Sequence, residues 1–227
     1  QDLAMLLSSD TGFRPGGEEA EKLLREAYEV RRSLLGEDDP LTADTLGKVA
    51  WTRRGEGDLS IADEMMFQSM ALLMGKSPEE ARKHIEAKTA EGAALWAAGD
   101  HAAARAIVRQ FTAPFLSIPA SRDRVPGMLA SYAFILVQRG DRDAAELALR
   151  EALALSQELM GDDRPGTLDI MHHLAVQLYR WGEDEEAQTL FEQTVEGRRR
   201  VLGEEHPVTL TSMTNLAALY WKQGRYD

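Results

Sequence analysis

Apolar residues recur along most of this chain at intervals of three and four, which is the spacing of one face of an α-helix. The three clearest stripes lie 42 residues apart: Leu129, Tyr132, Ala133 and Leu136; Met171, Leu174, Ala175 and Leu178; and Met213, Leu216, Ala217 and Tyr220. No segment shows the strict alternation that is typical of a half-buried β-strand. The pattern therefore predicts an all-α chain.

Glycine residues separate the predicted helices at a nearly constant interval. A glycine followed by a polar or charged residue recurs at intervals of 42, 41, 42 and 42 residues: Gly57, Gly99, Gly140, Gly182 and Gly224. Five residues after each of the first four stands an alanine, which is small enough to let paired helices approach closely. A fixed period of this size indicates stacked helical hairpins.

A second marker, of the form Leu/Met-Gly-x-x-x-Pro, occurs at 35–40, 160–165 and 202–207. It predicts a helix end followed by a helix start, because Gly suits the left-handed position after a helix and Pro suits the first turn of the next. The predicted first helices of the hairpins are 41–55, 78–98, 126–139, 166–181 and 208–223, and the second helices are 18–35, 59–74, 101–113, 142–160 and 184–202, after a short helix near 2–8. They predict one domain with units at about 1–40, 41–77, 78–125, 126–165 and 166–207 and a partial unit at 208–227.

The unit at 76–126 departs from this pattern. It lacks the Gly-to-Pro link and contains Pro114, Pro119 and Pro126, which predicts a longer loop. Its first helix carries Lys88 and Glu91 where neighbouring units have apolar residues, which indicates a register shifted by one residue.

Composition narrows the function classes. The net charge of the 227 residues is −12, which disfavours contact with a phosphate backbone and so predicts no nucleic-acid binding. No apolar run approaches the ~20 residues that cross a bilayer, so no membrane span is expected. The absence of cysteine fits a reducing compartment and favours a cytoplasmic location. The chain starts without Met and stops where a partner helix is expected, so we expect a fragment of a longer protein.

The C-terminal segment carries a family resemblance. Residues 201–210, with Leu202-Gly203 and His206-Pro207, together with Asn215-Leu216-Ala217 and Gln223-Gly224, resemble the tetratricopeptide repeats (TPRs) of kinesin light chain. The resemblance implies a right-handed α-solenoid whose first helices line a concave groove that binds a protein partner. In bacteria, similar arrays are often appended to signalling kinases or nucleotide-binding regulators. The Lys-x-x-x-Asn pattern of the family's carboxylate clamp is absent here.

The groove face of each first helix is expected at positions i, i+3, i+7 and i+10. Every one of the five first helices carries an aromatic residue there: Trp51, Trp96, Phe134, Tyr179 and Trp221. The remaining candidate groove residues lie on or beside the same face: Arg54, Gln138, His172, Arg180 and Lys222. Aromatic side chains dominate binding hot spots, and the basic residues would answer acidic side chains. We predict that an extended peptide or short helix with acidic and aromatic or apolar residues lies in the groove.

Other interpretations stay open. The aromatic residues could pack rather than bind, and Trp96 becomes a core residue if its helix is shifted by one. The chain could instead serve self-association or regulate a larger signalling protein, and its oligomeric state is open.

Enzyme chemistry is not expected. Adjacent helical residues point ~100° apart, so His172 and His173 do not easily share a metal ion. The run Arg198–Arg200 is interpreted as structural, at a helix C-terminus where cations suit the helix dipole. We predict no catalytic residues, metal or cofactor.

Overall fold

The computed structural model describes residues 18–37, 39–55, 59–117, 119 and 122–225. These residues form ten α-helices and one 3₁₀ turn. The helices are α1 (Glu18–Leu35), α2 (Pro40–Gly55), α3 (Leu59–Leu73), α4 (Pro78–Ala97), α5 (His101–Leu116), α6 (Val125–Gln138), α7 (Arg142–Met160), α8 (Pro165–Trp181), α9 (Asp184–Leu202) and α10 (Pro207–Lys222). The 3₁₀ turn is Arg122–Arg124. The described residues contain no β-strand, which confirms the all-α prediction.

The helix ends follow from the markers in the sequence. Gly182 ends α8 in the left-handed conformation, with φ 88°, and its N–H donates to the carbonyls of Leu178 and Tyr179. A non-glycine residue would be strained at that φ. Ser77 begins α4 with a capping box: its hydroxyl accepts from the Glu80 N–H, and the Glu80 carboxylate accepts from the Ser77 N–H. Each device satisfies backbone groups that a helix end leaves without partners.

The irregular segment behaves partly as predicted. Helix α5 continues through Pro114 to Leu116, three residues beyond the predicted end at 113. A proline this near the end removes only one late hydrogen bond, so the helix survives it. In α4 the buried residues are Ala81, Ile85 and Gly92. Gly92 lies 41 residues before the buried Ala133, but Ala81 and Ile85 lie 44 residues before the buried Val125 and Leu129, so the shift of one residue stays a prediction.

The helices fall into two compact units. Helices α1 to α5 form the N-terminal unit, whose core is built around Phe67, Ile85 and Phe115. Helices α6 to α10 form the C-terminal unit, whose core includes Leu174 and Phe191. Within each unit, consecutive helices pack against each other as the hairpin pattern predicts.

Small residues let the helices of the C-terminal unit pack closely. Ala133, Ala145, Ala175 and Ala187 are fully buried. Gly197 of α9 lies so near α8 that an added Cβ would stand 2.5 Å from a Leu168 methyl carbon. The predicted stripes of α6 and α8 are buried throughout, whereas that of α10 is only half-buried or exposed. Helix α10 packs mainly against α9 and, to a smaller extent, against α8.

Candidate interaction surface

The first helices of the C-terminal unit lie in the order α6, α8, α10, because α8 contacts both of the others. Their residues at the predicted groove positions define what we call the first-helix face. It comprises, helix by helix, Gly127, Ala130, Phe134 and Val137; Asp169, His172, Val176 and Tyr179; and Thr211, Thr214, Ala218 and Trp221. All of these residues except His172 are exposed or half-buried.

Two large side chains stand out on this face. Trp221 of α10 is 71% exposed and Phe134 of α6 is 41% exposed, whereas most large apolar residues of the unit are buried. Gly127 and Ala218 on the same face are small and exposed, so they leave room for a ligand's main chain. Exposed aromatic rings beside small residues are suited to contact with apolar groups of a partner.

The basic residues at one end of the face have different surroundings. The Nζ of Lys222 lies 2.7 Å from Oδ1 of Asp184 and 4.9 Å from the centre of the Tyr179 ring. The Lys222 side chain therefore forms an ion pair within the protein. Arg180 is exposed and forms no ion pair with any residue that the structure describes. Gln138 is exposed at the end of the neighbouring helix α6.

His172 is buried, with only 7% of its surface exposed. Its Nδ1 lies 3.3 Å from the Ser212 hydroxyl oxygen, and its Nε2 lies 3.2 Å from Nδ2 of Asn215. The edge of the ring contacts Phe191, with the ring centres 5.6 Å apart. The periodicity places His172 on the first-helix face, but its side chain points into the contact between α8 and α10.

These contacts assign the His172 tautomer. The Asn215 amide nitrogen can only donate, so Nε2 must be the acceptor and the proton is on Nδ1. Nδ1–H then donates to the Ser212 hydroxyl. Burial, and to a smaller extent the charges of Arg198 and His173, lower the pKa of His172 to about 3. The ring is therefore neutral near pH 7 and serves as a fixed hydrogen-bonding group.

Arg198 of α9 holds the centre of this contact and is only 4% exposed. Its Nη1 donates to the Val208 carbonyl at 3.0 Å and to the Ser212 hydroxyl, and its Nη2 donates to the Asp169 carboxylate. One arginine thus connects α8, α9 and α10. The sequence predicted a structural role for the run Arg198–Arg200 from the helix dipole. For Arg198, the structural role comes mainly from these hydrogen bonds to α8 and α10.

The same contact recurs in the N-terminal unit. Arg31 of α1 donates to the Leu41 carbonyl at 3.3 Å and to the Thr45 hydroxyl at 2.6 Å. In both units the hydroxyl residue follows the arginine by fourteen positions across a Leu-Gly-x-x-x-Pro link. That spacing is the signal in the sequence that could have revealed this contact, which we call the arginine latch.

The remaining predicted groove residues lie in the N-terminal unit. Trp96 is half-buried and stacks on the His101 ring, with the ring centres 4.0 Å apart and the planes inclined by 22°. Trp51 and Arg54 belong to α2, but their side chains lie outside the described residues. The prediction that they line a groove remains untested.

The described residues contain no group of three or more His, Asp or Glu side chains that could hold a metal ion. None of the described helices is long and apolar enough to cross a membrane.

Comparison with known proteins agrees with this architecture. The family model described as "Tetratricopeptide repeat" matches residues 17–75, 126–200 and 178–227, which together make up more than half of the chain. No curated protein matches the chain.

Two solved structures are similar. A crystal structure of BtubC (BKLC) from P. vanneervenii has 20% identity and a TM-score of 0.54, over 92% of this chain and 85% of that one. A crystal structure of nearly identical TPR-like repeats from a Podosopora anserina protein described as a kinesin light chain has 22% identity and a TM-score of 0.38, over 81% of this chain and 87% of that one. The match to the family model confirms the predicted resemblance to TPR arrays, and the BtubC (BKLC) structure shares the fold. With its repeated helical hairpins and the match to the family model, the chain belongs to the tetratricopeptide repeat family.

Proposed function

We propose that this chain is a scaffold that binds a peptide segment of another protein across the first-helix face of its C-terminal unit. TPRs generally mediate protein–protein interactions, and scaffolds of this family are typically not enzymes. The observation that carries the proposal is the pair of exposed aromatic rings, Trp221 and Phe134, on two of the three first helices of that unit.

The aromatic rings supply the anchoring contacts. A tryptophan or phenylalanine offers a large apolar area with few rotatable bonds, so a partner that covers it loses little conformational entropy. The small residues Gly127 and Ala218 let an extended chain or a short helix approach the helix backbones. Apolar or aromatic side chains of the partner are the natural complement of this surface.

Arg180 supplies the charge preference. Arg180, at the end of α8, has no ion pair among the described residues, whereas Lys222 of α10 is paired with Asp184. A carboxylate of the partner can accept two parallel hydrogen bonds from a guanidinium group. We therefore expect the bound segment to combine apolar or aromatic residues with an acidic residue.

A peptide array followed by fluorescence anisotropy tests the proposal. Dodecapeptides that combine aromatic and acidic residues are screened against the whole chain, and the best are labelled and titrated. Trp221→Ala should weaken their binding about 30-fold, because a hot-spot aromatic contributes about 2 kcal/mol.

Val201→Ala is the matched control. Val201 is 40% exposed but lies on α9, a second helix of the same unit, and does not belong to the first-helix face. It should leave the affinity unchanged. Equal affinities for the wild-type and Trp221→Ala proteins, with both still folded by circular dichroism, would refute peptide binding at this face.

A second function is favoured by a separate observation. Leu23, Val30 and Leu34 form an exposed apolar stripe on one side of α1. Such a stripe suits contact with a second copy of the chain. Light scattering across a range of concentrations tests this self-association: a constant monomer mass eliminates it, and loss of a dimer in the Leu34→Ala variant supports it.

A further inference from the structure

Helix α8 presents two opposite charges on its accessible side. Asp169 lies in its second turn, with 41% of its side chain exposed, and Arg180 lies in its last turn and is exposed. Eleven residues correspond to three helical turns plus about 20°, so both side chains leave the helix in nearly the same direction. At 1.5 Å per residue, their Cα atoms are about 16 Å apart along the axis.

The Asp169 carboxylate is held in place by another helix. Its Oδ1 accepts from Nη2 of Arg198, and Arg198 is itself fixed by the Val208 carbonyl and the Ser212 hydroxyl. No described residue donates a hydrogen bond to the second oxygen, Oδ2. The result is an oriented acceptor on the first-helix face, at the outer, negative end of a partly buried ion pair.

We infer that the segment bound on this face carries a basic residue opposite Asp169 and an acidic residue opposite Arg180, and that these two contacts fix the direction of the bound chain. The inference rests on the proposed function and specifies its partner. A segment that runs along α8 in extended form rises about 3.3 Å per residue, so its two charges should stand about five residues apart. The net charge of −12 also attracts a segment with a basic group.

The helix dipole offers a simpler reason for these two charges. An acidic residue near the start and a basic residue near the end of a helix each stabilise it slightly. That effect needs neither residue to be oriented by a neighbouring helix. The buried Arg198 holds the Asp169 carboxylate in one position, and this additional feature points to recognition of a ligand.

Selection from a random dodecapeptide library displayed on phage tests the inference on the whole chain. Peptides selected on the wild-type protein should be enriched in a Lys or Arg about five positions from an Asp or Glu. On the Arg180→Gln variant the acidic enrichment should disappear, and on Asp169→Asn the basic enrichment should disappear. For a selected peptide, each variant should lower the affinity about 2- to 5-fold, as expected for one exposed charge pair.

Two matched variants control for net charge alone. Lys22→Gln and Glu205→Gln each remove an exposed charge that does not belong to the first-helix face, and both should retain the wild-type enrichment. Asp169→Asn also takes the anionic partner from a buried arginine. The double variant Asp169→Asn/Arg198→Met removes both charges and should give the same loss of basic enrichment, with folding checked by circular dichroism.

The Trp221→Ala variant separates the two proposals. If it loses the selected peptides while these contain acidic but no basic enrichment, the face binds peptides and the inference about their charge pattern is overturned. If it binds the selected peptides as tightly as the wild-type protein, the proposed function fails, and the inference fails with it. A selection without any enrichment also overturns both.

Discussion

The two units are built from the same kind of helical hairpin, but their hairpins are joined differently. In the C-terminal unit both turns that lead from a second helix to a first helix are Leu/Met-Gly-x-x-x-Pro links. In the N-terminal unit that link joins α1 to α2, whereas α3 is joined to α4 by a turn at Gly75 and the Ser77 capping box. The arginine latch occurs at two of the three links and not at the described turn between α3 and α4.

The third link shows what replaces the latch. At the link between α7 and α8, Ser156 occupies the position of the arginine and bonds to the Thr167 hydroxyl at 2.8 Å. Ion pairs on the surface also connect hairpins in this unit: Arg150 of α7 contacts Glu186 of α9 through two hydrogen bonds of 2.6 and 2.7 Å. Buried or half-buried polar contacts thus hold the helices together at each link, and ion pairs on the surface connect α7 to α9.

The comparison is sharpened most by removing one large core residue from each unit. Phe191 in the C-terminal unit and Phe67 in the N-terminal unit are both fully buried. Replacing either by alanine should cost about 3–5 kcal/mol, because the transfer and cavity terms add. In repeat proteins each unit contacts mainly its neighbours, so hydrogen exchange should accelerate mostly in the unit that carries the substitution. Equal acceleration in both units after Phe191→Ala would show that they unfold as one.

The pH dependence of stability should reveal the buried histidine of the C-terminal unit. Its pKa is about 3 in the folded protein and near 6.5 in the unfolded chain, so the unfolded chain binds more protons between these values. Stability should therefore fall as the pH is lowered from about 6.5 towards 3, by up to a few kcal/mol. Across this pH range, the urea midpoint should depend less steeply on pH in the His172→Gln variant than in the wild-type protein. An unchanged slope would mean that the ring is not protected from protonation.

Sequence patterns predicted the helices better than they predicted the surface. The bounds of α7 and α9 agree with the prediction at both ends, because Gly and Pro act locally on the backbone. The burial of His172 depends on Ser212 and Asn215, 40 and 43 residues away, which no local pattern contains. Similarly, Trp96 stacks on His101, a residue beyond the end of its own helix. Helical periodicity gives the direction of a side chain and not what covers it.

The two latches should differ in strength. Arg198 is almost fully buried and donates hydrogen bonds to a carboxylate, a hydroxyl and a carbonyl. Arg31 is half-buried and, among the described residues, donates only to a hydroxyl and a carbonyl. Arg198→Ala should therefore cost about 2 kcal/mol and Arg31→Ala about 1 kcal/mol. Urea unfolding followed by circular dichroism measures both. A larger cost for Arg31→Ala would contradict the assignment of the stronger latch to the C-terminal unit.

The smallest effect is expected from the surface pair between α7 and α9. Arg150 contacts both Glu186 and Glu146, and these carboxylates raise the pKa of its guanidinium. Because the group is partly exposed, Arg150→Gln should cost only about 0.5–1 kcal/mol at low salt, and most of that difference should vanish at 1 M NaCl. Arg82→Gln is the counterpart in the N-terminal unit, where Arg82 pairs with Glu64 but also lies over the Phe67 ring, 4.5 Å from its centre. The stability lost in Arg82→Gln should persist in high salt, because contact with a buried ring is screened less than a surface ion pair. If the cost of Arg150→Gln persists at 1 M NaCl, the surface pair between α7 and α9 is not an electrostatic connection.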